Sequence, residues 1–436
     1  MRVAVAPSPA SGESLARLTR MTAAFVASDL LRGVIGLATS VIIARGLGRD
    51  EFGRWTLYAT WASALTVMFD LGFGVLLTRE AARGGRVGAI VTGAVAARLA
   101  LFAPVALALA VFGAGRWAIP DASVQTTYLV LATAAAGMAY GCLAAVYRAS
   151  PAWLVVILTV ETVGTLMQSV GSAFIIVGGG SIPALLRLAL AVQLTQLGAA
   201  TIGWHTVAPE DRLHLPSLRS IRQLVRRGLP FAMTGFVANI QSRMGPIVLG
   251  VAAAPADVAA FGVAQRLESA ARRLPSAACG AALPVLAGDI ERSGETPVRA
   301  RFDGALRWFA LGAAAALVVG ARPIVHFTYG ESFEGAWAAL SWAGIGLVPS
   351  LTNAGRKVYL FASGRETIVL RWSAIGCAIQ AIGCAVFIPR FGAVGAMAAY
   401  VVGEAAIWFP LRRSANGVSA RTHYRAAPLS RPENRS

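Results

Sequence analysis

Lysine is almost missing from this chain. Of 436 residues only Lys357 is a lysine, and the rest of the 39 basic positions are arginine. Charged residues make up 14% and apolar ones 56%, whereas soluble domains carry about 25% charged and about 45–50% apolar residues. That balance excludes a water-soluble globular enzyme. The lone lysine sits in Gly355-Arg356-Lys357-Val358, so no Gly-Lys-Ser/Thr loop exists to cradle a nucleotide phosphate. Cysteine and histidine number four each. Cys142, Cys279, Cys377 and Cys384 lie in apolar stretches without CxxC spacing, and His205, His214, His326 and His423 form no HExxH. No metal site, cofactor or hydrolase signature is expected.

What the chain has is apolar runs in regular succession. A bilayer-crossing helix needs about 20 residues, and twelve such spans are expected at 21–44, 56–78, 88–113, 126–147, 152–177, 182–204, 229–252, 256–288, 304–327, 335–362, 366–388 and 391–411. The eighth is the least apolar and is counted partly through its symmetry with an earlier one. The reading is an all-α polytopic membrane protein. The polar first twenty residues contain no short apolar core with a cleavage site, so no cleaved signal peptide is expected.

The formal charge of +18 would suggest nucleic acid on a soluble chain. On a membrane protein it follows from cytoplasmic loops that collect arginine, and no nucleic-acid partner is expected. With the N-terminus inside, the inner gaps hold 22 arginines and the outer gaps five: Arg45, Arg49, Arg54, Arg116 and Arg390. Both termini are therefore expected in the cytoplasm. The longest inner connection, 205–228, places Leu218, Ile221, Leu224 and Val225 at helical spacing among Arg219, Arg222, Arg226 and Arg227. This pattern suits an amphipathic helix on anionic lipid. It separates two six-helix halves, 21–204 and 229–412, flanked by tails 1–20 and 413–436. A weak repeat joins the halves: Asp50-Glu51-Phe52-Gly53 after span one, and Asp257-Val258-Ala259-Ala260-Phe261-Gly262 after span seven. An even number of helices per half makes the repeat parallel.

The stretch Ile43-Ala44-Arg45-Gly46-Leu47-Gly48-Arg49-Asp50-Glu51-Phe52-Gly53-Arg54-Trp55, continued by Phe69-Asp70-Leu71-Gly72-Phe73-Gly74 and Thr78-Arg79-Glu80, resembles the start of the polysaccharide and O-antigen (Wzx-type) flippases. These belong to the multidrug/oligosaccharidyl-lipid/polysaccharide exporter (MOP) superfamily. Phe261-Gly262-Val263-Ala264-Gln265-Arg266-Leu267, Tyr329-Gly330-Glu331-Ser332-Phe333 and Ala362-Ser363-Gly364-Arg365 resemble later parts of the same family. The resemblance implies two six-helix bundles with alternating access in a bacterial cytoplasmic membrane. The implied substrate is a polyprenyl-pyrophosphate-linked glycan, with membrane lipids and the glycosyltransferases and polymerase of the pathway as further partners.

Arginine at mid-bilayer costs about 2.5–3.5 kcal/mol even on lenient scales, so buried charge marks a cavity or a partner. The candidates for binding a headgroup phosphate are Arg32, Arg98, Arg187, Arg243, Arg266 and Arg272. Cavity polar groups are expected from Asp29, Asn239, Ser242, Gln265 and Glu268. Arg32 and Arg243 stand out because spans one and seven are repeat-equivalent. Glu161 and Glu404, each alone in an apolar span, are candidate coupling-ion sites, with pairing to a cavity arginine as the other reading. Asp70 lies nearer the cytoplasmic end of span two. A drug or organic-cation antiporter of the same superfamily would want an acidic cavity, and here interior arginines outnumber carboxylates. A membrane-embedded glycan polymerase or ligase would want a sizeable external loop. The longest external gap, about 114–125, holds Asp121 as its one acid.

Overall fold

A computed structural model describes residues 12–70, 72–82, 87–112, 123–149, 151–207, 211, 213, 236–237, 239–293 and 297–417. Every regular element among them is helical. The helices are α1 (Gly12–Leu47), α2 (Arg49–Met68), α3 (Phe73–Ala82), α4 (Gly88–Phe112), α5 (Val124–Ala149), α6 (Pro151–Val177), α7 (Ile182–Val207), α8 (239–252), α9 (Pro255–Ser293), α10 (Pro297–Val319), α11 (Ala321–Tyr329), α12 (Ala336–Ala362) and α13 (Glu366–Asn416). A 3-10 turn, Glu331–Phe333, precedes α12.

Two groupings emerge from the packing. In the first, α5 touches α2, α3, α4, α6 and α7, and α1 lies on α6. The small residues Ala134, Ala136, Gly137, Ala144 and Ala145 let neighbours approach α5 closely, and 72% of its apolar window is buried. In the second, α12 is central and touches α9, α10, α11 and α13. The groups meet where α9 packs along α2 and α1.

The chain makes twelve passes from these helices. Seven are long and apolar enough to cross a membrane, or eight when α2 and α3, bent by 56° across residues 69–72, count as one. α13 supplies two passes, because Gly392 at φ 51° and ψ −126° breaks it. This left-handed region suits glycine, and Asp257 Oδ1 accepts from Ala393 N at 3.2 Å to cap the second arm. The remaining passes are α8, α9 and α12. α9 and α12 carry interior polar groups, Arg266, Glu268, Arg272 and Arg273 on the first and Ser350 and Asn353 on the second, while α8, described over 239–252 alone, carries Gln241 and Arg243. Span eight is therefore a helix as expected, and it runs further, to Ser293.

Of the expected linker helix, 208–210, 212 and 214–228 lie outside the described residues. Asp211 turns back under the first bundle. Its carboxylate accepts from Val87 N at 2.7 Å and Gly88 N at 2.9 Å, capping α4, and its carbonyl accepts from Trp204 Nε1 at 2.7 Å. A carboxylate there satisfies orphan donors at a helix N-terminus.

At the face where α1 ends and α2 and α9 begin, the bundles interlock. The two Phe-Gly elements face each other across the α2–α9 crossing. A side chain at Gly53 would collide with the Pro255 carbonyl, and one at Gly262 would meet Thr56 Cγ2 at 2.9 Å. Phe52 packs edge-on against Phe333 at 5.6 Å and tilted against Tyr329 at 6.3 Å. Arg45 donates to the carbonyls of Thr328 (2.9 Å) and Phe327 (2.6 Å), and the Ser40 and Tyr329 hydroxyls are 3.1 Å apart. We call this interlocked end the closed face and the opposite end, where α3, α7, α9, α12 and α13 terminate, the open face.

Candidate functional site

A cavity of about 450 Å³ lies at the edge of the second grouping, lined by residues of α8, α9 and α13, with Asp29 of α1 the one lining residue from the first. α9 supplies its longest wall. Gln265, Glu268, Arg272 and Ser276 recur there at steps of three and four, with Ser269 next to Glu268, which places them on one helical side. Across from them stand Asp29 of α1, Gln241 and Ser242 of α8, and Gln380 and Tyr400 of the two α13 arms. Phe261, Gly245 and Met397 add apolar surface.

Each cavity guanidinium is already paired. Arg272 donates from Nη1 to Glu268 Oε1 (2.8 Å) and to the Tyr400 hydroxyl (2.6 Å), and from Nη2 to Ser350 Oγ (2.8 Å). Arg273 crosses to the other bundle, where its Nη1 reaches the Asp29 carbonyl at 3.0 Å and carboxylate at 3.2 Å. Gly33 leaves room for Arg273, since any side chain there would strike the guanidinium. Asp29 also lies 3.7 Å from Arg32, so one carboxylate stands between an arginine of each bundle. The wall's formal charge balances: Asp29 and Glu268 against Arg272 and Arg273.

The expected site residues fall into separate places. Gln265 lines the cavity and donates to the Ser242 carbonyl at 3.1 Å. Ser242 and Asn239 accept from Arg243 Nη1 at 3.3 and 3.1 Å, while Arg243 Nε reaches Ser63 of α2 at 3.3 Å. Arg266 lies beneath the closed face, over the rings of Phe52 (4.9 Å) and Trp55 (5.3 Å). Arg32 turns from the cavity toward α6, where it pairs with Glu161. Of the six arginines Arg272 alone lines the cavity, and Arg187 and Arg98 make their contacts within the first bundle. Arg187 is exposed and bonds its own helix at the Pro183 carbonyl. Arg98 is 3% exposed inside the first bundle. It donates to the carbonyls of Thr66 (2.9 Å) and Met138 (3.1 Å) and lies 3.3 Å from Asp70. The break after α2 leaves the Thr66 carbonyl without its usual partner, since Asp70 N turns to Val67 O instead. Arg98 fills that vacancy in a setting without water.

The two lone acids differ in their partners. Glu161 is clamped between Arg32 and Arg148. Glu404 meets amides: Oε1 accepts from Gln241 Nε2 and Oε2 from Asn353 Nδ2, both at 2.9 Å. Gln380 braces this set by donating to the Gln241 carbonyl at 3.0 Å. Gln241, Asn353, Gln380, Ser350, Tyr400 and Arg148 were all overlooked in the sequence. The readable signal was amides and hydroxyls inside spans, which carry a burial cost of their own. Arg148 reads in sequence as a loop residue beside a short turn.

A family model described as "Polysaccharide biosynthesis protein" matches residues 18–288. The chain belongs to that family. Among solved structures it is similar to "Lipid II flippase MurJ, inward closed conformation", with TM-score 0.73 and 14% identity over 90% of this chain and 87% of that one. It is also similar to an inward-facing "multidrug resistance MATE family transporter of the MOP superfamily", with TM-score 0.65 and 15% identity over 90% and 96%. A third is a MOP superfamily transporter from Pyrococcus furiosus, described as having reverse polarity of its binding pocket, with TM-score 0.59 and 14% identity over 92% and 96%. No curated protein matches. The chain thus shares the helical fold of these transporters, with several helices long and apolar enough to cross a membrane.

Proposed function

We propose that this transporter flips a polyprenyl-pyrophosphate-linked oligosaccharide across a bacterial cytoplasmic membrane for cell-surface polysaccharide synthesis. The observation that carries the reading is the cavity that α8, α9 and α13 line against Asp29 of α1, whose guanidiniums, Arg272 and Arg273, are held by exchangeable carboxylates. Guanidinium binds phosphate oxygens bidentately. Arg32, Arg243 and Arg266 border the cavity's bundles and form the second tier of the headgroup set. The polar remainder, Gln265, Ser242, Asn239 and Tyr400, suits sugar hydroxyls. Both termini lie in the cytoplasm, so the open face is the inner one. The halves are 21–204 and 229–412, joined by the basic linker 205–228 and flanked by tails 1–20 and 413–436. Glycosyltransferases and a polymerase of the same pathway act before and after it.

With no nucleotide loop, net flux depends on an ion gradient or on consumption of product outside. Glu404 is the coupling-ion residue, because its partners leave its charge uncompensated. Glu161 is a structural acid.

A drug or organic-cation antiporter is the second reading. A charge-balanced wall favours it less than an acidic one would. The deciding experiment is a deletion strain labelled in lipid-linked glycan. Accumulation on the inner leaflet supports the flippase, single units outside point to a polymerase, and unchanged glycan with drug sensitivity points to the antiporter. In complementation, Arg272→Ala and Arg273→Ala should abolish export while inserting normally, and Arg→Lys should be partial. Full export from both alanine variants contradicts the headgroup assignment.

A further inference from the structure

The open-face corner where α10 begins and α12 and α13 end carries a charge cluster that the cavity does not use. Arg299 is fully engaged there. Its Nη1 donates to the Ala415 carbonyl and its Nη2 to Asn416 Oδ1, both at 3.0 Å, Asp303 lies 3.6 Å away, and the guanidinium stacks on Tyr359 at 3.9 Å. Beside it the indole of Trp408 faces two further cations, Arg356 at 4.6 Å and Arg412 at 5.6 Å. Arg356 is tied by Nη1 to the Trp408 carbonyl at 2.8 Å, and the indole donates to Thr352 Oγ1 at 2.9 Å, so the platform is fixed. Among the described residues neither Arg356 nor Arg412 has a carboxylate within 4 Å.

Asp303 acts on Arg356 at longer range but is paired with Arg299, so two like charges gathered on one fixed aromatic platform favour a further, external anion. The chain's tail is a poor source, since it carries Arg421, Arg425, Arg431 and Arg435 against Glu433. Depth narrows the choice. Arg412 precedes the end of α13 by four residues and Arg356 precedes the end of α12 by six. At about 1.5 Å per residue both lie in the headgroup layer. Next to Arg412, Phe409 is 62% exposed and presents apolar surface at the depth of an acyl chain.

We propose that this corner binds the phosphodiester of an anionic phospholipid, with Arg356 and Arg412 on the phosphate and Phe409 against the chain. The site also faces inward. Arg356 Nη1 lies 3.5 Å from Asn353 Oδ1, and Asn353 donates to Glu404. A bound phosphate therefore pulls on the arginine one side chain away from the buried carboxylate, and transport should respond to the anionic-lipid content of the bilayer. The proposal rests on the membrane assignment alone and stands whatever the cavity carries.

The test uses full-length protein in phosphatidylcholine micelles, titrated with phosphatidylglycerol, with more phosphatidylcholine, or with inorganic phosphate. Phosphatidylglycerol should raise the unfolding temperature, and the other two should not. Arg412→Ala, an exposed position that folding tolerates, should lose at least half of that shift. Arg187→Ala, an exposed arginine on α7, should keep it. Native mass spectrometry should show about one fewer retained anionic lipid on Arg412→Ala. Equal shifts and equal retained lipid in Arg412→Ala and wild type overturn the site. An equal shift from inorganic phosphate overturns the lipid and leaves a free-anion site.

Discussion

Glu161 and Glu404 are both 5% exposed, one in each bundle, yet their surroundings assign them different work. Two guanidiniums, from α1 and α5, converge on Glu161. They hold its carboxylate in place, and it in turn holds them. Glu404 receives neutral amides from α8 and α12. An amide donates to a carboxylate and, once turned, accepts from a carboxylic acid, so this set tolerates either state of the group. Equal burial therefore does not mean equal function. The donor type separates a strut from a switch.

The largest expected effect that could break this comparison is on stability. Glu161→Gln strips two arginines of their shared acceptor. Breaking a buried pair costs about 3–5 kcal/mol, with the lower end expected because the Arg148 side chain is 45% exposed. Glu404→Gln should cost less than about 1.5 kcal/mol, since a neutral isostere keeps hydrogen bonds to its amides. Thermal unfolding in detergent ranks the two, and the reverse order would remove the distinction.

The same contrast applies to the arginines. Arg98→Ala orphans the Thr66 carbonyl and unpairs Asp70, at about 1–3 kcal/mol, whereas Arg187→Ala should stay within about 0.5 kcal/mol. Comparable losses from both would place Arg187 inside the bundle after all. A smaller effect concerns the interlock between bundles. Gly53→Leu should wedge the α2–α9 crossing and depopulate the closed arrangement. A disulfide between cysteines placed at Ser40 and Tyr329 would then form at least fivefold more slowly, and an unchanged rate would show that the Phe-Gly contact does not hold that face. Asp29→Asn should change stability least, because Arg273 keeps the Asp29 carbonyl.

Much of the fold was legible because apolar runs and arginine bias are local signals. Twelve passes follow from them even where α9 and α12 are too polar to pass a hydropathy test. The Phe-Gly repeat was visible as sequence, and its meaning as facing contacts needed the packing. The site was less legible. Spacing placed Arg32 beside Asp29, but it could not show that Glu161, 129 residues away, would claim Arg32 first. Counting charges also drew attention from Gln241, Asn353 and Gln380, which are neutral yet gather around the buried carboxylate of Glu404. Arg98 looked like a ligand-binding residue because burial cost marks both cavities and broken helices. The broken end of α2 is set by tertiary packing that local periodicity does not encode.

The central claim is tested most directly by reconstituting wild type, Glu404→Gln and Glu161→Gln and measuring flipping of a short-chain lipid-linked glycan with and without an imposed proton or sodium gradient. The account predicts gradient-driven flux in wild type, gradient-independent flux in Glu404→Gln, and a retained gradient response in whatever fraction of Glu161→Gln folds. A normal response in Glu404→Gln, or loss of the response in folded Glu161→Gln alone, would contradict it.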